Sequence, residues 1–219
     1  MAPAHGGERG GRAHAGSSAS PALVLASGSP QRRAILEGLG VPFTVRVTDV
    51  EELSEGDPAQ VARENALRKA RAAVRTGTAE VVLGCDTLVT LDGVIYGKPP
   101  DEPAARATLT ALGGRTHEVI SGLALLLCDA DTGSAERVAV ARTRVTFRPI
   151  DEELLNWYVG TGEWRGRSGG YAIQGAGQRL VEKVDGEVEN VVGLPVTKLR
   201  DIYPELFGDQ AGRASRTAR

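Results

Sequence analysis

The run Val81-Val82-Leu83-Gly84-Cys85 constrains the fold more than any other stretch of this chain. Its apolar residues do not alternate with polar ones, so as a strand it must be covered on both faces. A doubly covered strand needs helices layered on either side. Their patterns are present. Gln31–Leu39 places Ile35, Leu36 and Leu39 on one helical face, and Gly40 closes it. A second helix opens with Asp57 as N-cap and Pro58 in the first position, runs to about Arg75 and stops at Gly77. Asp101 to Leu112, ended by Gly113-Gly114, and Asp151–Val159 are further helices.

Strands are expected at Leu23–Ala26 and Phe43–Val47. Leu88–Val94 reads as a hairpin turning at Asp92-Gly93. Glu118–Cys128 and Arg137–Phe147 form a long antiparallel pair around an Asp129–Ser134 turn, and a further strand lies near Gln178–Val184. A last helix, Val196–Phe207, is ended or kinked by Pro204. The fold class is α/β: a mixed central sheet with flanking helices, and a second lobe of α+β character. Residues 1–20 and 208–219, rich in small and polar residues, are expected to be disordered tails around one domain at 21–207.

Composition excludes several functions. The 219 residues hold 26 basic and 28 acidic side chains, a formal charge of -2, so nothing pulls the whole chain to nucleic acid or an anionic membrane. Aromatics at 4% are too few for a base-stacking platform. No apolar stretch has the length of a membrane span, and the first 20 residues lack the apolar core of a secretion signal. Cys85 and Cys128 match no metal spacing and read as small buried thiols, in keeping with a cytoplasmic protein. His117, beside Gly-Gly-Arg-Thr, reads as structural; His5 and His14 lie in the expected tail.

Several stretches could carry chemistry. Ser27-Gly28-Ser29-Pro30-Gln31-Arg32-Arg33 brings two hydroxyls and two guanidinium groups to a helix N-terminus, where free N–H groups favour phosphate. It equally suits an ordinary capped turn, and it is not a P-loop. Asp86-Thr87 directly follows the buried strand, where a carboxylate can hold magnesium or take a proton from water. An Asp-Thr turn explains it as well. Gly97-Lys98-Pro99 offers a point charge for phosphate, Glu51-Glu52 precedes a helix carrying Arg63, Glu64, Arg68 and Lys69, and Gly169–Gly175 carries Gln174, whose amide can read a base edge; solvated charges and a tight turn account for these stretches as well. No serine-histidine-acid or cysteine-histidine set stands out. The parts are those of metal-assisted phosphate chemistry, which works by positioning and charge neutralisation.

LASGSPQRRAILEGLG, VEE, ENALRKA, VLGCDTLVTLDGVIYGKP, LGGRTHEVISGLAL, YVGTGEWRGRSGGYAIQG and NVVGLPV, in this order and spacing, resemble the Maf family of nucleoside triphosphate pyrophosphatases, historically linked to septum formation. The resemblance spans about Leu23 to Tyr203. It implies a two-lobed fold with a deep cleft, related to the inosine-triphosphate-pyrophosphatase architecture and often dimeric. It also implies cleavage between the α and β phosphates to a monophosphate and pyrophosphate, with magnesium or else manganese. A nucleotide-binding regulator of cell division with little catalysis is the alternative.

By position, Asp86 matches the family's proton acceptor and metal ligand, and Glu52 a second metal or water contact. Lys69 and Lys98 match phosphate-holding lysines. Ser27, Ser29, Arg32 and Arg33 match the first phosphate loop, and Thr87 and Gln174 match positions tied to base preference. The chain departs from the thymidine- and uridine-preferring subgroup at Gln31, where that subgroup has arginine. It also carries Cys85 for alanine, Arg167-Ser168 for Lys-Ala, and Gly166 where an acid is common.

Overall fold

The computed structural model describes residues 22–129 and 133–207. The expected tails, His5, His14 and the tip of the Asp129–Ser134 turn lie outside the described residues. The elements are β1 (Ala22–Leu25), α1 (Pro30–Gly38), β2 (Phe43–Val45), α2 (Pro58–Ala73), β3 (Glu80–Leu91), β4 (Val94–Tyr96), α3 (Glu102–Leu112), β5 (Thr116–Asp129), β6 (Gly133–Phe147), α4 (Glu152–Gly160), β7 (Val181–Asp185), α5 (Val188–Val192) and α6 (Val196–Ile202). Four helices start as their sequences dictate. Ser29, Asp57, Asp101 and Asp151 sit at N-caps and accept hydrogen bonds from the amides of Arg32, Gln60, Ala104 and Leu154. Pro204 does end α6, and a 3₁₀ turn over Pro204–Phe207 follows it.

One seven-stranded mixed sheet runs β2-β1-β3-β5-β6-β7, with β4 paired to β3 off this path. β1 pairs parallel with β2 and β3; the β3–β5, β5–β6, β6–β7 and β3–β4 pairs are antiparallel. β3 passes through two packing regions. In the first lobe Val81, Leu83 and Cys85 pack toward Leu36 of α1 and Leu199 of α6. Val82 packs on the other face against Ala66, Leu67 and Ala70 of α2. In the second lobe Val89 and Leu91 join Leu109, Leu112, Phe147, Tyr158 and Trp164. The double burial read from Val81–Cys85 is therefore present.

The strand is longer than its apolar run. β3 continues through Asp86 and Thr87 to Leu91, because β5 pairs with it from Glu80↔Cys128 to Thr90↔Glu118. The Asp-Thr turn is corrected by this pairing: Asp86 lies in mid-strand, opposite Gly122. Gly122 and Gly84 also let α2 approach closely. A Cβ on Gly84 would lie 2.2 Å from the Ala66 carbonyl oxygen, and one on Gly122 2.2 Å from that of Ala62. Only hydrogen fits there, so the helix backbone rests directly on the sheet.

Candidate functional site

The other edge of β3 explains where the site lies. β1 pairs with β3 as far as Leu25↔Leu83, and the Ala26 amide adds a bond to the Leu83 carbonyl at 2.8 Å. β4 takes over at Tyr96↔Val89. Between them, residues 84–88 have no strand partner on that edge among the described residues. The chain leaving β1 (Ser27 to Ser29) and the chain leaving β4 (Gly97, Lys98) flank this gap, and a cleft of about 690 Å³ opens over it.

Alternation along β3 sends Asp86 and Thr87 to opposite faces of the sheet. Asp86 faces α2 and is 4% exposed. Its Oδ1 accepts a bond from Lys69 Nζ at 2.6 Å, and its Oδ2 accepts one from Asn65 Nδ2 at 3.0 Å. Lys69 also pairs with Glu52 Oε1 at 2.9 Å, so one ammonium joins two carboxylates from separate segments. Each Asp86 oxygen accepts one bond and keeps lone-pair capacity for water or a cation.

Thr87 faces α1 and α5. Its hydroxyl accepts from Arg32 Nη2 at 3.2 Å and lies 2.9 Å from the Ser121 hydroxyl. Arg32 is 9% exposed; its Nη1 donates to Ser27 Oγ at 2.9 Å and its Nε to the Gly193 carbonyl at 2.9 Å. That carbonyl also accepts from Cys85 Sγ at 3.3 Å. Gly193 follows α5 with φ 134°, a conformation that suits glycine. Arg32, one turn into α1, is thus a fixed cation. Burial pushes the Cys85 thiol up, which keeps it protonated beside this arginine.

The remaining expected residues are placed as follows. Ser29 Oγ donates to Gln31 Oε1 at 3.1 Å, and both line the cleft. Lys98 and Gln174 line it too, and are exposed. Gln174 sits on a loop whose next turn is held by Glu163, which accepts from the amides of Ala176 at 3.0 Å and Gly177 at 2.8 Å. Arg33 is exposed and absent from the cleft wall, so the structure does not bring it to the others.

Sequence reasoning missed Arg165 and Arg167 as wall residues, Ser168 (whose hydroxyl donates to the Thr87 carbonyl at 3.1 Å) and Asn65. Asn65 had a signal: it stands four residues before Lys69, on the same helical face. His117 is a structural residue, as expected. It is 1% exposed, its Nε2 lies 2.9 Å from the Tyr171 hydroxyl, and burial lowers its pKa from 6.5 to about 4.

Arg32, Lys69, Lys98, Arg165 and Arg167 stand in the cleft against the two carboxylates of Glu52 and Asp86. A chain of net charge -2 thus concentrates positive charge at one place, as binding a polyphosphate requires. The donor set also suits a hard divalent cation. Magnesium is held by one or two carboxylates together with substrate phosphates rather than by a protein cage. Asp86 and Glu52 are the two carboxylates that meet in the cleft; among the described residues no cluster of three or more His, Cys, Asp or Glu forms a cage. Among the same residues no helix is long and apolar enough to cross a membrane.

Comparison with known proteins agrees with the motif order. A protein named dTTP/UTP pyrophosphatase from Symbiobacterium thermophilum is 42% identical over 176 residues, covering 80% of this chain and 88% of its own length. One of the same name from Anaeromyxobacter dehalogenans is 44% identical over 180 residues, covering 82% and 91%. Among solved structures, a HAM1 protein from Coxiella burnetii aligns with a TM-score of 0.45 at 19% identity, covering 84% of this chain and 99% of its own. A nucleoside-triphosphatase / dITP/XTP pyrophosphatase from Mycobacterium abscessus aligns at 0.38 and 23%, covering 58% and 74%. The family model described as Maf-like protein matches residues 22–206, nearly the whole described chain, and the chain belongs to that family.

Proposed function

We propose that this chain is a nucleoside triphosphate pyrophosphatase that takes pyrimidine nucleotides, thymidine and uridine triphosphates first, to a nucleoside monophosphate and pyrophosphate. The relatives' shared name supports the reaction and the substrate class. The observation that carries it in the structure is the pairing of Asp86 with Lys69 and Glu52 on one side of the β3 edge, and Arg32 with Thr87 on the other.

In this reading the triphosphate lies along the cleft with its charge on Arg32, Lys69, Lys98 and the second-lobe arginines. Asp86, held in place by Lys69 and Asn65, accepts a proton from the attacking water. The water oxygen bonds to one phosphorus of the α–β bridge, the bridging P–O bond breaks, and the electron pair leaves with the departing phosphate group. Lys69 and Arg32 neutralise the charge that builds on the bridge and its oxygens. Magnesium, held by Asp86, Glu52 and the phosphates, supplies further charge neutralisation when bound. Gln174, which lines the same cleft as the Ser27–Gln31 loop, contacts the base, with Gln31 in place of a charged fork.

The test is a product assay on a panel of nucleoside triphosphates, with and without magnesium, resolving pyrophosphate from single phosphate. Magnesium-dependent pyrophosphate release, best with dTTP and UTP, is expected. In Asp86→Asn it should fall by about 10²–10⁴-fold, the usual contribution of a positioned acid or base, in a protein that still folds. Single phosphate as product would move the cut to the β–γ bond. A folded protein that turns over no nucleotide would leave the binding-regulator reading in its place.

A further inference from the structure

Asn65 lies in the middle of α2, on the face pressed against the sheet, and is 1% exposed. Its neighbours on that face, Val61, Ala62, Ala66 and Ala70, are apolar. A polar amide buried there costs stability unless its groups are bonded. All three are: Oδ1 accepts from the Leu53 amide at 2.8 Å, and Nδ2 donates to the Leu53 carbonyl at 3.0 Å and to Asp86 Oδ2 at 3.0 Å. Only this orientation of the amide works. The flipped one would set its oxygen against both a carbonyl and a carboxylate.

These bonds join two parts that the chain brings from different places. Asp86 comes from β3. Glu52, next to Leu53, comes from the irregular segment 46–57, where no strand or helix fixes the backbone. Lys69 also touches both carboxylates, but its ammonium is a full positive charge on a four-carbon stem and attracts phosphate as well as carboxylate. Asn65 is short, neutral and saturated, so phosphate does not compete for it. With Lys69 on Oδ1 and Asn65 on Oδ2, the plane of the Asp86 carboxylate is set from both ends.

We infer that Asn65 is a positioning residue: it aims the Asp86 carboxylate and tethers the Glu52 segment to α2, so that both acids stay in register while Lys69 engages substrate. The aiming half rests on the activity proposed above; the tether does not.

Two variants separate the halves. Asn65→Asp keeps an acceptor for the Leu53 amide, but it loses the donor to Asp86 and sets a second carboxylate against it, so its kcat loss counts for aiming only where the neutral Asn65→Ala loses kcat as well. Asn65→Ala loses everything. With dTTP and magnesium, Asn65→Asp should lower kcat by about tenfold to a hundredfold, the scale of a catalytic group displaced by about an ångström, while KM changes by less than about threefold. Its Leu53 amide should stay protected from hydrogen exchange. Asn65→Ala should lose kcat and also expose the Leu53 amide to exchange. A kcat within about twofold of wild type in either variant overturns the aiming role. Unchanged Leu53 protection in Asn65→Ala overturns the tether.

If neither variant folds, the wild type decides. The Asn65 side-chain amide protons should be slow to exchange and should shift in Asp86→Asn. Fast exchange or no shift overturns the proposal. Absence of pyrophosphate release by wild type on every nucleotide would instead sink the proposed activity, leaving the exchange results to judge the tether alone.

Discussion

Replacing Gly84 by alanine tests the link between backbone packing and catalysis. Its φ is not in the left-handed region, so alanine meets no backbone penalty there; the obstacle is space. The added Cβ would sit 2.2 Å from the Ala66 carbonyl oxygen, 2.8 Å from the Ala70 nitrogen and 2.9 Å from the Ala70 Cβ. Carbon and oxygen need a little over 3 Å, so α2 must rise off the sheet by about 1 Å. Overpacking of this kind costs about 1–3 kcal/mol, and in a domain of this size each kcal/mol lowers Tm by about 2–4 °C.

The catalytic cost is separate. α2 carries Asn65 and Lys69, whose bonds to Asp86 are 3.0 and 2.6 Å long, and a displacement of about 1 Å is worth about a hundredfold in rate. Gly84→Ala should therefore show a Tm about 2–12 °C lower and kcat about a hundredfold lower in protein that remains folded at the assay temperature. Gly38→Ala is the control. Gly38 is the last residue of α1, nothing lies within 4 Å of its Cβ position, and alanine there should be neutral or stabilise by at most about 0.5–1 kcal/mol. Thermal unfolding and steady-state kinetics on the same preparations decide. A Gly84→Ala protein with wild-type Tm and kcat would refute the claim that α2 is seated on this glycine.

Stability should depend on pH through two buried titratable groups, His117 and Glu80. His117, with its pKa lowered by burial from 6.5 to about 4, stays neutral in the folded protein while the unfolded chain takes up a proton below 6.5. Stability should fall by roughly 3 kcal/mol as pH drops from 6.5 to 4, and urea titrations of His117→Gln should lack that part of the slope; equal slopes in both proteins would exclude it. Glu80 behaves as the usual acid. The forked bonds from Arg46 at 2.8 and 3.0 Å hold its carboxyl below the ordinary 4.5, against the opposing effect of burial. That stability is present above pH 4.5 and is lost as pH falls through the lower folded value. Glu80→Gln should cost about 1.5–3 kcal/mol at pH 7, with the difference from wild type shrinking below pH 4.5; a constant difference would count against the ion pair.

Local rules were legible wherever the chain obeys them locally. Asp57-Pro58, Asp101 and Asp151 mark their helix starts because capping is decided within one turn. The long β5–β6 pair was visible from the length of its two strands and the Asp129–Ser134 turn between them. What escaped depended on distant partners. Nothing local distinguishes an Asp-Thr turn from a strand continued through Asp86; the pairing with Gly122, far along the chain, decides it. α5 is short and owes its place to long-range bonds such as Asn190 Nδ2 to the Val119 carbonyl at 3.1 Å. At the site, Asp86, Lys69 and Glu52 were named from motifs, and the structure brings them together. Arg33, named by adjacency to Arg32, points to the weakness of reading neighbours as partners: consecutive helical residues lie about 100° apart, and only one of the pair meets the cleft.

The position of the site follows from the same geometry. A β-strand directs successive side chains to opposite faces, so in a fully paired sheet Asp86 and Thr87 would serve two unconnected sides. Here the strand's edge is bare between Leu83 and Val89, and the two sides meet around it. Asp86, with its lysine and asparagine, reaches the cleft from the α2 side, and Thr87, with Arg32, from the α1 side. An unpaired edge is a hazard in most sheets because it invites another strand. In this one the Ser27–Gln31 loop, Lys98 and Ser168 border the gap, and one of its carbonyls, that of Thr87, accepts the Ser168 hydroxyl. Extending β1 by a few residues to complete the pairing would extend the sheet and close this gap, leaving the Asp86 carboxylate and Arg32 on separate sides of it.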